Sequence, residues 1–219
     1  MENKYSMTIE QNIFLAKRNL VDNVYSNARL EGLNITFPQT KTILEGINVP
    51  ELKIDEIQCI LNLRDAWKYV INNIDLDFNL EFISKVNEFV ARNESIEWGK
   101  LRNGKVEITG TSYIPEIPKE ENVKKDIAKI LEIENTTERA IEYMLYGMRN
   151  QLFWDGNKRT STIGANKIMI QNGNGIIKIP DDKLQEFTTL LSDFYTTNEK
   201  EKIKQFILDN CIDGIVFEN

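Results

Sequence analysis

The stretch Gln151-Leu152-Phe153-Trp154-Asp155-Gly156-Asn157-Lys158-Arg159-Thr160 gathers residue types that bind phosphate. The apolar pattern on either side predicts a helix ending near Asn150 and a new one opening around Lys158. A helix start carries unpaired backbone N–H groups and the positive end of the helix dipole. Gly156, which has no Cβ, lets an anion approach the backbone. Lys158 and Arg159 add cationic donors at the same point. Asp155 is suited to a Mg²⁺ ion that also touches phosphate oxygens. Phe153, between Leu152 and Trp154, is expected to anchor the loop in the core. Taken alone, Asp155-Gly156-Asn157 is equally a common turn, and Lys158-Arg159 equally a solvated helix start.

The 219 residues include no histidine. Ser-His and Cys-His nucleophiles and histidine metal ligands are therefore excluded. Acid or base work falls to a shifted carboxylate, a lysine, a tyrosine, a cysteine or water. The net charge of −7 speaks against non-specific nucleic-acid binding. Cys59 and Cys211 lack metal-ligand spacing and read as free thiols in a reducing compartment. Met1-Glu2-Asn3-Lys4 opens no signal peptide, and no apolar run approaches the roughly 18 residues of a membrane helix. The expectation is a cytoplasmic protein with neither membrane nor nucleic-acid partners, and with self-association left open.

The elements that must position the loop are mostly helical. Ile9, Ile13, Ala16, Leu20 and Val24 predict one amphipathic helix from 8 to about 30, stopping near Gly32. Phe37-Pro38 marks a loop or a helix start. Further helices are expected over Leu52–Ile71 and Leu80–Arg92, and again from Lys119. Asn135 or Thr136 caps the helix that runs to Asn150. Arg159–Ile170 follows, ended by Gln171-Asn172-Gly173, with two more helices around Leu184–Phe194 and Ile203–Ile207. Between Trp98 and Tyr113 the pattern changes. Asn103-Gly104 beside alternating Val106 and Ile108 predicts a β-hairpin, read as a surface flap. The fold class is mainly α: a helical bundle with one β-hairpin flap.

The ten-residue loop resembles the signature of the Fic/Doc family, H-x-F-x-[D/E]-G-N-[G/K]-R-x-x-R, whose Doc branch ends in N-K-R-T. Phe153, Asp155, Gly156, Asn157, Lys158 and Arg159 match; Gln151 stands in the His position and Thr162 in that of the second Arg. Gly99 to Pro115 is similar to the family's flap. Ser26-Asn27-Ala28-Arg29-Leu30-Glu31-Gly32 is similar to its inhibitory-helix motif, [S/T]-x-x-x-E-[G/N], with Asn27 at the Ser/Thr position.

The resemblance implies a Fic-like helical core over 51–219, with its flap at about 98–113 and motif loop at 151–160. Residues 1–50 form an N-terminal helix and connector packed on that core. It implies AMP transfer from ATP to a protein hydroxyl, with Mg²⁺ on Asp155. The phosphates would lie on Gly156, Asn157, Lys158 and Arg159, and an extended target would dock on the flap at Val106, Ile108 and Thr109. In the family the motif His takes the hydroxyl proton. Gln151 has no useful basicity for that task, so catalysis is impaired or altered. The alternative is an inactive Fic-fold protein that binds a nucleotide or a partner. The missing second Arg is the usual partner of the inhibitory Glu. Glu31 is then expected to pair with Arg159 or Lys158, or to be an ordinary surface residue.

Overall fold

The computed structural model describes residues 2–217. Ten helices carry the fold among these residues: α1 (Ile9–Arg18), α2 (Leu20–Glu31), α3 (Phe37–Leu44), α4 (Ile54–Asn72), α5 (Leu80–Val90), α6 (Glu120–Leu131), α7 (Thr136–Asn150), α8 (Asn157–Gln171), α9 (Leu184–Thr197) and α10 (Glu201–Asn210). Two short strands, β1 (Ile176–Ile177) and β2 (Ile212–Asp213), pair antiparallel. The mainly α class expected from the sequence is what the chain adopts.

α8 is the axis. It packs most extensively on α7 and also meets α1, α2, α4, α5 and β1. From Arg159 to Ile170 every residue of α8 is buried, polar ones included. Each buried polar group must then find a partner. Asn166 donates to Ile177 O at 2.8 Å and accepts from Ile177 N at 2.8 Å, tying α8 to β1. Lys167 donates to Ile74 O at 2.5 Å and to Gln171 Oε1 at 2.9 Å. β1 and β2 are too short to show a period in the sequence.

The single helix expected over 8–30 is two helices. Asn19 separates α1 from α2, with φ −95° and ψ 16°. Asparagine competes poorly in helix interiors, and its amide reaches Asp213 Oδ2 at 3.4 Å. The break lets both helices contact α8 and α4. Trp67 of α4 is 1% exposed and donates to Asn27 Oδ1 at 2.8 Å, which fixes α2 on α4. Gly32, at φ 94°, ends α2 as expected, with Leu33 N donating to Ala28 O at 3.1 Å.

The hairpin expected over 98–113 is not a β-ladder. Its turn lies at Ile108–Thr111, where Thr111 N donates to Ile108 O at 3.2 Å and Gly110 takes φ 85°. Neither Asn103 nor Gly104 has the positive φ that an Asn-Gly hairpin turn requires. Gly104 serves close approach instead: a Cβ there would lie 2.5 Å from the indole of Trp154. The segment is extended and held by side chains.

On the other side of the bundle, α7 and α10 are joined by an ionic cluster. Lys200 and Lys204 donate to Glu142 at 2.5 and 2.8 Å, and Lys204 also to Glu138 at 2.9 Å. Burial works to raise the Glu142 carboxyl; the two ammonium groups overcome it and hold it below the ordinary value of 4.5. A carboxyl depressed on folding contributes stability that is complete above its unfolded value and is lost as pH falls through the folded one. Glu142→Gln should therefore cost about 1–3 kcal/mol near neutral pH. In urea titrations that deficit should shrink as the pH drops below the ordinary carboxylate range.

Candidate active site at the start of helix α8

The link between α7 and α8 is fixed by side chains. Gln151 caps α7 in the left-handed region, at φ 46°. Its amide nitrogen donates to Met148 O at 2.6 Å and its amide oxygen accepts from Asn157 Nδ2 at 3.1 Å. Asn157 also accepts from Phe153 N at 2.9 Å and donates to Phe153 O at 2.8 Å. Phe153 is 2% exposed, the anchor expected of it. Gly156 takes φ 70° at the N-cap of α8, and a Cβ there would lie 2.7 Å from Val90 Cγ1. Asn87 of α5 is fully buried; it donates to Asp155 O at 3.0 Å and Thr160 Oγ1 at 3.1 Å, and accepts from Gly99 N at 2.9 Å.

Arg102, 1% exposed, joins this link to the flap segment. Its guanidinium donates to five carbonyls: Asn150, Gln151, Gly104, Pro115 and Glu116, at 3.3, 2.5, 2.5, 3.3 and 2.6 Å. A cation at the C-terminal end of α7 meets the negative end of that helix dipole. No carboxylate is needed beside it.

The two motif cations are both engaged by α2. Lys158 Nζ donates to Leu30 O at 3.2 Å. The Arg159 side chain is 2% exposed and lies among three carboxylates: Glu94 at 2.7 Å, Glu31 at 3.1 Å and Asp155 at 3.4 Å. Cys59 Sγ accepts from Arg159 Nη1 at 3.0 Å. Burial nevertheless pushes the Cys59 thiol up to about 12, against the pull of Arg159, so it stays a neutral acceptor. Of the options for Glu31, the structure realises the pair with Arg159. Glu31 closes α2, where a carboxylate opposes the helix dipole, and the adjacent cations offset that conflict.

A cavity of about 280 Å³ opens here. Glu31, Ile108, Thr109, Gln151, Asp155, Gly156, Asn157 and Lys158 line it together, as does Tyr195 of α9. Arg159 and Val106 do not line it. Arg159 is turned into the ionic cluster, and Thr162, 2% exposed, donates to Lys158 O at 2.9 Å within α8. The Tyr195 hydroxyl is buried without a hydrogen-bond partner; burial, and then Glu31, push its pKa up. Glu94, Arg102, Asn87, Glu107 and Tyr195 were not among the sequence candidates. Single residues on a loop, a flap or a helix face form no motif that would select them.

Among the described residues no group of three or more acidic or cysteine side chains forms a metal cage. Asp155, with 43% of its side chain exposed, stands at the cavity and spends Oδ1 on Gly156 N at 2.5 Å and Arg159. One carboxylate suits a Mg²⁺ ion that brings its remaining ligands as water and phosphate oxygens. It does not suit a metal held by protein groups alone.

The fold is a helical core with a glycine-started helix beneath an extended flap, and known proteins share it. Residues 77–169 match the model of the Fic/DOC family. A Fic-1 structure from C. elegans superposes with a TM-score of 0.72 at 24% identity, over 86% of this chain and 58% of that one. A Fic domain containing signaling protein from Bacteroides thetaiotaomicron gives 0.73 at 16% identity, over 88% and 81%. A Fic family protein from Desulfovibrio desulfuricans gives 0.72 at 19%, over 91% and 65%. No curated protein matches significantly. The chain shares the fold of these structures, its residues 77–169 are similar to the Fic/DOC family, and it spans less than two thirds of the C. elegans and Desulfovibrio chains.

Gly156 combines a left-handed backbone with a tight contact, so Gly156→Ala should destabilise by about 2–4 kcal/mol in urea unfolding. Val90→Ala in the same chain should recover the contact part only, leaving the cost of the backbone conformation.

Proposed function

We propose that this chain binds the phosphates of a Mg²⁺-nucleotide, with ATP as the reference ligand, at the start of α8 beneath a gate formed by α2. AMP transfer to a protein hydroxyl is then strongly slowed. The observation that carries this reading is the Gln151 amide, engaged at both ends by Met148 O and Asn157. In the transfer, a target hydroxyl oxygen would bond to the α-phosphorus, the bond to pyrophosphate would break, and the hydroxyl proton would have to leave. An amide cannot take that proton. Loss of a general base costs on the order of 10²–10⁴ in rate.

Binding draws on groups that remain suited to it. Gly156, Asn157 and Lys158 line the cavity at the helix start. Lys158 is spent on a neutral carbonyl, and a phosphate oxygen is a stronger acceptor than that. Asp155 would hold Mg²⁺, which neutralises phosphate charge when bound. Glu31 narrows the cavity and adds negative charge, so its departure with the end of α2 would favour an anionic ligand. Protein-target docking on the flap is supported by the backbone of 105–107, which makes no hydrogen bond within the described chain. An extended peptide adds to such an edge, beside Val106, Ile108 and Thr109.

A second reading, a transferase with a different base, has one observation in its favour. Glu107 brings a flap carboxylate to the same cavity. It would accept the proton that Gln151 cannot.

Thermal unfolding with ATP, ADP and AMP plus Mg²⁺ tests the binding. A ligand at 100 times its Kd raises stability by about 2.7 kcal/mol. Lys158→Ala should weaken ATP about tenfold or more, the worth of one charge-assisted hydrogen bond, and Glu31→Gly should tighten it. If no nucleotide shifts either the unaltered protein or Glu31→Gly, the binding reading is wrong. With α- and γ-labelled ATP and a lysate, the unaltered protein should transfer little label. Gln151→His should raise α-label transfer by about 10²-fold or more. Efficient transfer by the unaltered protein, abolished in Glu107→Gln, would instead establish the second reading.

A further inference from the structure

Two arginines have a buried Nε that makes no hydrogen bond, and their surroundings are opposite. Arg159 has three carboxylates within 3.4 Å. Arg149, in the last turn of α7, has no described carboxylate within ion-pair distance. Its guanidinium carbon lies 3.7 Å from the centroid of the Tyr113 ring and 5.9 Å from that of Phe194. Such stacking fixes the plane of the guanidinium and leaves its charge without a counter-ion.

A cation in that position has one obvious internal use, to cap the C-terminal carbonyls of α7. That use is already taken. Arg102 donates to the carbonyls of Asn150 and Gln151 at 3.3 and 2.5 Å. Arg149 instead lines a second cavity, of about 280 Å³, between α6, α7 and the turn joining α9 to α10. Two carboxylates share that cavity, one hydrogen-bonded and one ion-paired. Asp126 accepts from the Tyr146 hydroxyl at 3.1 Å. Glu142 is held by Lys200 and Lys204 at 2.5 and 2.8 Å. Lys129 stands at the same cavity, exposed and without an ion pair. In a chain of net charge −7, this concavity combines two unpaired cations and a third that is paired with Glu142, against one carboxylate, Asp126, that no described cation pairs.

We propose that this cavity is a second anion site, distinct from the start of α8, that takes a small oxyanion, carboxylate or phosphate, on the guanidinium edge of Arg149. The planar fork of arginine matches two oxygens of either group. Tyr113 and Phe194 hold that fork in place before the ligand arrives, so little freedom is lost on binding. Lys129 and Lys200 add attraction at the rim.

The probes are inorganic phosphate and succinate, each titrated calorimetrically at millimolar concentration into the full chain. They separate a phosphate source from a carboxylate source. Three variants separate this site from that at α8. Arg149→Met should weaken the tighter-binding probe about tenfold or more, the worth of one lost charge-assisted pair. Lys158→Ala should leave that binding unchanged, whatever becomes of the nucleotide reading. If Arg149→Met fails to fold, Lys129→Glu, a change at an exposed position, decides: it should weaken the same probe several-fold with an unchanged Tm. The proposal is overturned if neither probe binds the unaltered protein. It is also overturned if binding survives both Arg149→Met and Lys129→Glu, or if Lys158→Ala alone removes it.

Discussion

The Arg159 guanidinium, with 2% of its side chain exposed, is held in the helical core by anions around it. Arg159 obtains them from three separate parts of the chain: the end of α2, the segment after α5, and its own loop. Each contributor is thereby tied to the others. Glu94 divides its two oxygens between Arg159 at 2.7 Å and Asn62 of α4 at 2.8 Å, so α4 is bound into the same arrangement. Removing a single partner from a buried charge costs more than the pair gains by forming, because the survivor is left uncompensated. The pair with Glu31 thus adds an electrostatic contribution to the packing of α2 over α8.

The loop before α8 shows a second use of the same physics. A turn between two buried helices leaves carbonyls at one end and N–H groups at the other. Here the carbonyls at the end of α7 are taken by Arg102, and the loop is closed on itself by Asn157. Gly156, Asn157 and Lys158 at the start of α8 line the cavity, and Gly156 turns the chain there in a conformation that a side chain would strain. Gln151 belongs to the closed loop: its amide completes the closure by linking Met148 O to Asn157.

Helices and their ends were readable where the code is local. Of the two residues expected to cap α7, Asn135 does so with its side-chain oxygen, and Gly32 stops α2 in the left-handed region. The motif loop was readable because its residues act within a few positions of one another. What escaped is long-range. The Asn103-Gly104 pair imitated a hairpin turn, while its glycine accommodates Trp154 some fifty positions away. Arg102, Asn87 and Glu94 act through partners on other elements, and no period marks them. The break at Asn19 follows from tertiary packing against α8 and α4, which the apolar pattern of one long helix does not reveal.

The charges around the first cavity bear on the proposed gate and the proposed ligand alike. Glu31, Glu107 and Asp155 line it against Lys158 alone, because Arg159 is turned inward. An anion entering that space meets repulsion unless a cation accompanies it or a carboxylate leaves. Both routes relieve the same excess of negative charge. A divalent ion beside Asp155 would offset it directly, and withdrawal of α2 would remove Glu31 while freeing Lys158 from Leu30 O. Withdrawal would leave Arg159 still paired with Glu94 and Asp155. The buried charge would therefore stay compensated if α2 moved, as the proposed gate requires.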